Sequence, residues 1–120
     1  MTARILEGKV FAAQIRAEAK KKAGQIKADY GVTPGLAVII VGENPASRVY
    51  VRNKHKACEE LGIYSEVIEM PDSTTKEELL AKIDLLNASD KIHGILVQLP
   101  LPKQIQADES EILDRIDPLK

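Results

Sequence analysis

LAVIIVGENPASRVYVRNKHKACEELG, the stretch from Leu36 to Gly62, determines the fold of this chain. It opens with a nearly continuous run of Leu, Ala, Val and Ile, which is typical of a strand buried on both faces. The run ends at Gly42, and Pro45 then suits the first turn of a helix, which we predict over about Ala46–Leu61. A strand that turns directly into a helix favours a βαβ unit.

Two further apolar runs indicate that this unit is repeated. Gly94–Leu99 is again nearly continuous, whereas Ser65–Met70 alternates and resembles a strand nearer the edge of a sheet. Helical patterns separate the three runs, and strands separated by helices form parallel sheets. The sequence therefore predicts an α/β fold, with three αβα layers and a mainly parallel sheet built from βα units.

The flanking helices are marked by their periodicity and their ends. Lys9–Tyr30 carries one apolar stripe, and Gly31 suits the position just after its end. The stripe consists of Ala12, Ile15, Ala19, Ala23, Ile26 and Tyr30. Thr74 and Glu77 match a capping box before a third helix with Leu79, Ile83 and Leu86 on its apolar face. Asp108 and Glu111 match a similar start for a short last helix.

Composition excludes several classes of function. The 120 residues are 44% hydrophobic and 29% charged, with 17 basic and 18 acidic side chains and a net charge of -1. This balance does not favour nucleic acid or an anionic membrane surface, and no apolar run is long enough to span a bilayer. One cysteine, Cys58, excludes an internal disulfide, and two histidines are too few for a typical metal site. The start lacks the apolar core of a secretory signal, and we expect a cytoplasmic protein.

Lys54 is the residue whose position calls for an explanation. At about 100° per residue it shares a helix face with Tyr50, Val51 and Cys58, and Ser47 and Leu61 complete that face. One interpretation is that its stem packs on the core while its ammonium reaches water. The other is a lysine in a cleft, where partial desolvation allows it to exchange a proton near neutral pH. Tyr50 would then stand one turn away.

Both unusual loops fall at the carboxyl edge of the predicted sheet, where ligands bind in open parallel α/β folds. Gly42–Pro45 follows the first strand, and Gln98–Pro102 follows the third. Gln98 carries the only side-chain amide in its run, and a buried amide needs partners. It either serves the site or bonds to a neighbouring loop backbone. Either X-Pro bond of this loop, at Pro100 or at Pro102, is a candidate for a cis peptide.

These residues carry a resemblance to a known family. Val41–Ile63, Gly94–Pro102 and the ending Ile116–Lys120 closely resemble bifunctional methylenetetrahydrofolate dehydrogenase/methenyltetrahydrofolate cyclohydrolase of the FolD type. The resemblance implies that residues 1–120 are the N-terminal folate-binding and catalytic domain. The family's C-terminal Rossmann domain, which binds NADP, is absent from this chain. It also implies tetrahydrofolate derivatives as substrates, no metal, a homodimeric full-length protein, and one-carbon metabolism that feeds purine biosynthesis.

The resemblance assigns roles to individual residues. Lys54 matches the catalytic lysine, which assists oxidation of the methylene bridge and activates water for hydrolysis. Tyr50 matches the tyrosine whose ring packs on the folate, and Gln98 matches the glutamine that bonds near the lysine and tunes it. Ser47, Leu99, Pro100 and Pro102 match residues that line the substrate pocket.

Two other hypotheses stay open on the sequence alone. Tyr50 and Lys54 also fit the Y-x-x-x-K pair of short-chain dehydrogenases, although those proteins carry a Gly-rich turn well upstream of the pair. Alternatively, the chain is an isolated α/β module that is inactive by itself and binds folate only weakly.

Overall fold

Three parallel strands and four helices build the chain in the computed structural model, which describes residues 2–120. The sheet has the order β2–β1–β3, so the apolar run Leu36–Val41 lies at its centre. In chain order the elements are α1 Gly8–Tyr30, β1 Gly35–Val41, α2 Pro45–Leu61, β2 Tyr64–Met70, α3 Lys76–Asn87, β3 Gly94–Val97 and α4 Glu109–Asp114. The prediction of an α/β fold with a parallel sheet is confirmed.

The side chains of β1 divide the core between two helical layers. Val38 and Ile40 pack with Val51 of α2 on one face of the sheet. The opposite face belongs to a larger cluster that includes Ala37, Ile39, Val41, Leu79, Ile83, Leu86 and Ile112 from β1, α3 and α4. Because successive strand residues point to opposite faces, a continuous apolar run covers both. This produces the predicted three αβα layers.

The third strand is shorter and less buried than the sequence predicts. It ends at Val97 rather than Leu99, although Gln98 N still donates to Ile39 O at 2.8 Å. Pro100 has no N–H to continue the ladder, and the Leu99–Pro100 peptide is cis. Within residues 2–120, β3 pairs with β1 alone, so Ile95 and Leu96 are only half-buried. The expectation of burial on both faces is therefore wrong for this strand.

Helix ends agree with the sequence except at the caps of α3 and α4. Asp108 lies at the start of α4, as predicted, but its side chain makes no capping hydrogen bond. Gly31 and Gly62 adopt left-handed φ angles of 68° and 73° after α1 and α2. The cap of α3 is Thr75, which accepts a hydrogen bond from Glu78 N at 3.2 Å, rather than the predicted Thr74. Thr74 is 1% exposed, and its hydroxyl donates to the Pro71 carbonyl. Thr74 and Thr75 both match the residue type of a helix cap. Because Thr74 is buried, Thr75 is the residue that caps α3.

The first helix packs on α2, yet most of its predicted stripe is exposed. Ala23 is its one buried residue in the part of the chain that the structure describes. Ile15 is 66% exposed and Tyr30 is 77% exposed, and Phe11 and Ile26 are exposed as well. The periodicity predicts the helix correctly, but within its stripe only Ala23 is buried and Ala19 half-buried.

Candidate functional site

The end of β3 and the middle of α2 meet at a lysine–glutamine pair. Lys54 Nζ donates a hydrogen bond of 3.0 Å to Gln98 Oε1, between residues 44 positions apart. Both side chains are half-buried. The structure therefore brings together the two polar residues that the sequence places at one edge of the sheet.

The packing of α2 explains why Lys54 reaches this edge. Ser47, Val51 and Cys58 are 4%, 5% and 6% exposed, so they define the face that α2 turns toward the sheet. Lys54 lies beside this face rather than at its middle. Its ammonium is directed to Gln98 and is not simply left in water. The stem packs as the first interpretation expects, while the head takes a specific partner.

Tyr50 forms the outer wall of the site. It lies one helical turn before Lys54, and its ring centroid is 5.7 Å from Lys54 Nζ, within the range of a cation–π contact. The residue is 56% exposed, which leaves much of its surface free for a planar ligand. A large exposed aromatic beside a polar pair is suited to binding rather than to packing the core.

The Leu99 carbonyl connects the two halves of the site. It accepts hydrogen bonds from Ser47 Oγ at 3.3 Å and from Gln98 Nε2 at 3.1 Å. Asn44 caps α2, because its Oδ1 accepts from Ser47 N at 3.0 Å. Gln98 therefore bonds to a loop carbonyl through Nε2, as one of the two expectations had it, while its Oε1 contacts Lys54.

The proline loop faces a different cavity. Pro100 and Pro102 line a groove of about 460 Å³ with Gly42–Asn44 and Asp72 among its other walls. Among the described residues, Lys54, Tyr50 and Gln98 are not part of its lining. Of the predicted pocket residues, Ser47, Tyr50, Lys54, Gln98 and Leu99 come together, whereas Pro100 and Pro102 turn toward this second groove.

Residues 6–120 match the family model described as tetrahydrofolate dehydrogenase/cyclohydrolase, catalytic domain. The chain belongs to this family. Membership rules against the short-chain dehydrogenase interpretation of Tyr50 and Lys54. It also confirms the resemblance carried by Val41–Ile63 and Gly94–Pro102.

Individual relatives of this dehydrogenase/cyclohydrolase family agree in sequence and in structure. Bifunctional protein FolD of Moorella thermoacetica is 60% identical over 116 residues, which are 97% of this chain and 40% of that protein. The crystal structure of the FolD enzyme from Campylobacter jejuni has a TM-score of 0.88 and 50% identity over 94% of this chain and 39% of that one. The structure of Trypanosoma brucei FolD, complexed with NADP cofactor and inhibitor, has a TM-score of 0.89 and 35% identity. The match covers 98% of this chain and 40% of that one.

This chain matches only part of the length of each of these relatives. The chain spans about 40% of the length of the curated relatives it matches. Family membership therefore applies to the catalytic domain, which residues 6–120 match.

A larger polar groove includes Asn44 and Arg48 of the start of α2 in its lining. It measures about 1020 Å³, and Arg48 lies between two carboxylates in its wall. The guanidinium is 3.4 Å from Glu69 and 3.7 Å from Glu43. Asp72 also lines this groove, so three carboxylates stand against one guanidinium. Lys54, in contrast, has the uncharged amide of Gln98 as its partner.

Asn44 and the Leu99 carbonyl are the site groups that the sequence analysis missed. Asn before Pro at a helix start is a recognisable cap signal, so Asn44 was detectable. A backbone carbonyl carries no signal in the residue type. Cys58 is buried behind the site, where desolvation raises the pKa of its thiol despite a hydrogen bond with Ser65. It belongs to the packing of α2, as predicted.

No group of three or more His, Cys, Asp or Glu side chains in residues 2–120 is arranged to hold a metal ion. No described helix is long and apolar enough to cross a membrane.

Proposed function

We propose that this chain is the folate-binding catalytic part of an enzyme with two activities. The enzyme oxidises 5,10-methylenetetrahydrofolate to 5,10-methenyltetrahydrofolate with NADP, and then hydrolyses the product to 10-formyltetrahydrofolate. The observation that carries the proposal is the Lys54–Gln98 hydrogen bond beside an exposed Tyr50, in a chain that belongs to the family.

The hydrolytic step suits the groups at this edge. A methenyl bridge is a cationic carbon between two nitrogens, and its opening begins when a water oxygen bonds to that carbon. Lys54, in its uncharged form, accepts the proton that this water loses, and it does not repel the cation as an ammonium would. The carbon–nitrogen bond then breaks as the carbon–oxygen double bond of the formyl group forms. Lys54 returns its proton to the departing nitrogen, and the remaining hydroxyl proton is released to water. Gln98 holds the amine in place through its oxygen.

Tyr50 provides the binding surface for the same substrate. Folate carries flat aromatic rings, and the ring of Tyr50 is exposed beside the lysine. Stacking on this ring would hold the reacting bridge near the lysine amine. The roles of Pro100 and Pro102 stay predictions, since both line the neighbouring groove.

The oxidative step needs a part that this chain does not supply. When bound, NADP would supply the acceptor for the hydride that leaves the methylene bridge. The turn after β1 is Gly42-Glu43-Asn44, which lacks the glycine pattern of a phosphate-binding turn and carries a carboxylate instead. We therefore assign NADP binding to the C-terminal Rossmann domain of the longer family members. The residues of this chain bind and orient the folate.

The alternative is an isolated fragment that is inactive and binds folate weakly. The open position of Tyr50 favours it, because 56% exposure leaves one side of the site without a wall in residues 2–120. We further propose a cytoplasmic, homodimeric full-length protein that supplies one-carbon units for purine biosynthesis. Near-neutral charge and a single cysteine support the cytoplasmic assignment.

A titration of the 120-residue chain with tetrahydrofolate tests the folate site. We expect saturable amide shift changes, centred on Tyr50, Lys54 and Gln98, in the ¹H–¹⁵N spectrum. Lys54→Met should weaken this binding, whereas Lys56→Met, a matched change on the exposed side of α2, should not. No saturable binding would favour the alternative. Shifts centred on the Arg48 groove would contradict the assignment of the site.

A further inference from the structure

The Ser47 hydroxyl occupies a position that packing alone does not require. Ser47 is 4% exposed, and its hydroxyl donates to the Leu99 carbonyl across 52 residues of sequence. Its backbone N–H is fixed by the Asn44 cap. The hydroxyl therefore joins the first turn of α2 to the residue that directly follows Gln98. Because it is buried, water does not easily replace this bond.

The same carbonyl distinguishes the two ends of the Gln98 amide. Nε2 donates to Leu99 O, and Oε1 accepts from Lys54. Rotation of the amide by half a turn would place its NH₂ against the lysine, donor against donor. It would also place its oxygen against the Leu99 carbonyl, acceptor against acceptor. The Leu99 carbonyl thus favours, together with the lysine as donor, the orientation in which Lys54 meets an oxygen.

We propose that Ser47 is a positioning residue, whose hydroxyl fixes the Leu99 carbonyl so that Gln98 presents Oε1 to Lys54. With one N–H directed at Gln98, the other positions on the lysine nitrogen are restricted to a cone around that bond. These include the lone pair of the uncharged amine. The catalytic meaning of this restriction rests on the proposed function. The hydrogen bonds from Ser47 to the Leu99 carbonyl, from Gln98 to the same carbonyl and from Lys54 to Gln98, which we call the relay, are a property of the chain without ligand.

Ser47→Ala in the 120-residue chain, labelled with ¹⁵N and ¹³C, tests the relay without any folate present. Loss of one neutral hydrogen bond shifts a local equilibrium about fivefold. We therefore expect the Gln98 side-chain NH₂ protons to exchange with solvent about fivefold faster. The Lys54 side-chain ¹⁵N resonance should move in the direction that Gln98→Leu produces. Ser47→Thr keeps the hydroxyl and should restore both signals.

Val51→Ala is the control for general loosening, because it removes buried methyl groups from α2 without touching the relay. If Val51→Ala changes the Gln98 and Lys54 signals as strongly as Ser47→Ala, the positioning role is wrong. Unchanged signals in a folded Ser47→Ala chain would also overturn it. Should Ser47→Ala not fold, Ser47→Cys keeps the size with a weaker donor, and it must give an intermediate change. If the positioning role of Ser47 is refuted, the tetrahydrofolate titration still tests the folate site independently.

Discussion

Replacing Lys54 by methionine is the change that most directly tests the catalytic assignment. The matched region is 40% of the 60% identical FolD of Moorella thermoacetica, so we would measure the proposed activities on residues 1–120 joined to the C-terminal part of that protein. The assay follows the loss of 5,10-methenyltetrahydrofolate for hydrolysis and the formation of NADPH for oxidation. General acid–base catalysis contributes about 10²- to 10⁴-fold, so hydrolysis should fall by that factor.

The structure predicts that this loss comes with little change in stability. Lys54 makes one hydrogen bond, to Gln98, and is half-buried, so water can solvate the freed amide. The methionine keeps most of the apolar stem. We expect the free energy of unfolding to change by about 1 kcal/mol or less. Lys56→Met provides the matched control, because it removes the same group from the exposed side of α2.

Lys54→Arg separates proton transfer from positive charge. A guanidinium still donates to Gln98, but it does not lose a proton in proteins. We therefore expect Lys54→Arg to lose hydrolysis nearly as completely as Lys54→Met. Retention of more than about a tenth of the rate in either folded variant would refute the proton-transfer role. Retention in Lys54→Arg alone would mean that charge, and not proton exchange, is what the reaction uses.

Three further predictions concern the fold. Ile83→Ala should lower the free energy of unfolding by about 2–5 kcal/mol, because Ile83 is fully buried; Ile15→Ala should change it by no more than about 0.5 kcal/mol in the same urea titration. Hydrogen bonds from Arg115 lower the pKa of Asp84, so their stabilisation is present above about pH 4 and is lost as pH falls further; the urea midpoints of the unchanged chain and of Asp84→Ala should converge below that pH, and a constant difference would contradict this. Burial raises the pKa of Cys58, so a disulfide reagent at pH 8 should modify it about tenfold or more slowly than in the urea-unfolded chain; equal rates would show that the thiol is accessible.

Element positions were predictable because local signals agree with the tertiary contacts. The predicted helix Ala46–Leu61 differs by one residue from the observed Pro45–Leu61, since Asn44 caps its start and Gly62 ends it. Ambiguity arose where neighbours share chemistry. Thr74 and Thr75 are both possible caps by residue type, and only the packing of the preceding loop places the first of them inside.

The candidate site was predictable in its members but not in its connections. The carboxyl-edge rule brings Lys54 and Gln98 to one place from sequence alone. Which end of the amide faces the lysine depends on the Leu99 carbonyl, whose position is set by the chain path after β3. Periodicity also fails to say how much of a helix face is covered. Ile15 satisfies the stripe of α1 as well as Ala23 does, yet only the alanine is buried.

The weak attachment of α1 has a consequence for how the chain opens. Among the described residues α1 has one buried side chain, Ala23, and packs chiefly on α2, whereas β1 is hydrogen-bonded to strands on both sides. Amide protons in α1 should therefore exchange through local opening at a much lower free energy than those in β1. Because Val51 anchors α2 to Val38 and Ile40, such an event leaves Tyr50 and Lys54 in place. The chain thus consists of a loosely held amino-terminal helix and a slowly opening unit that carries the whole site.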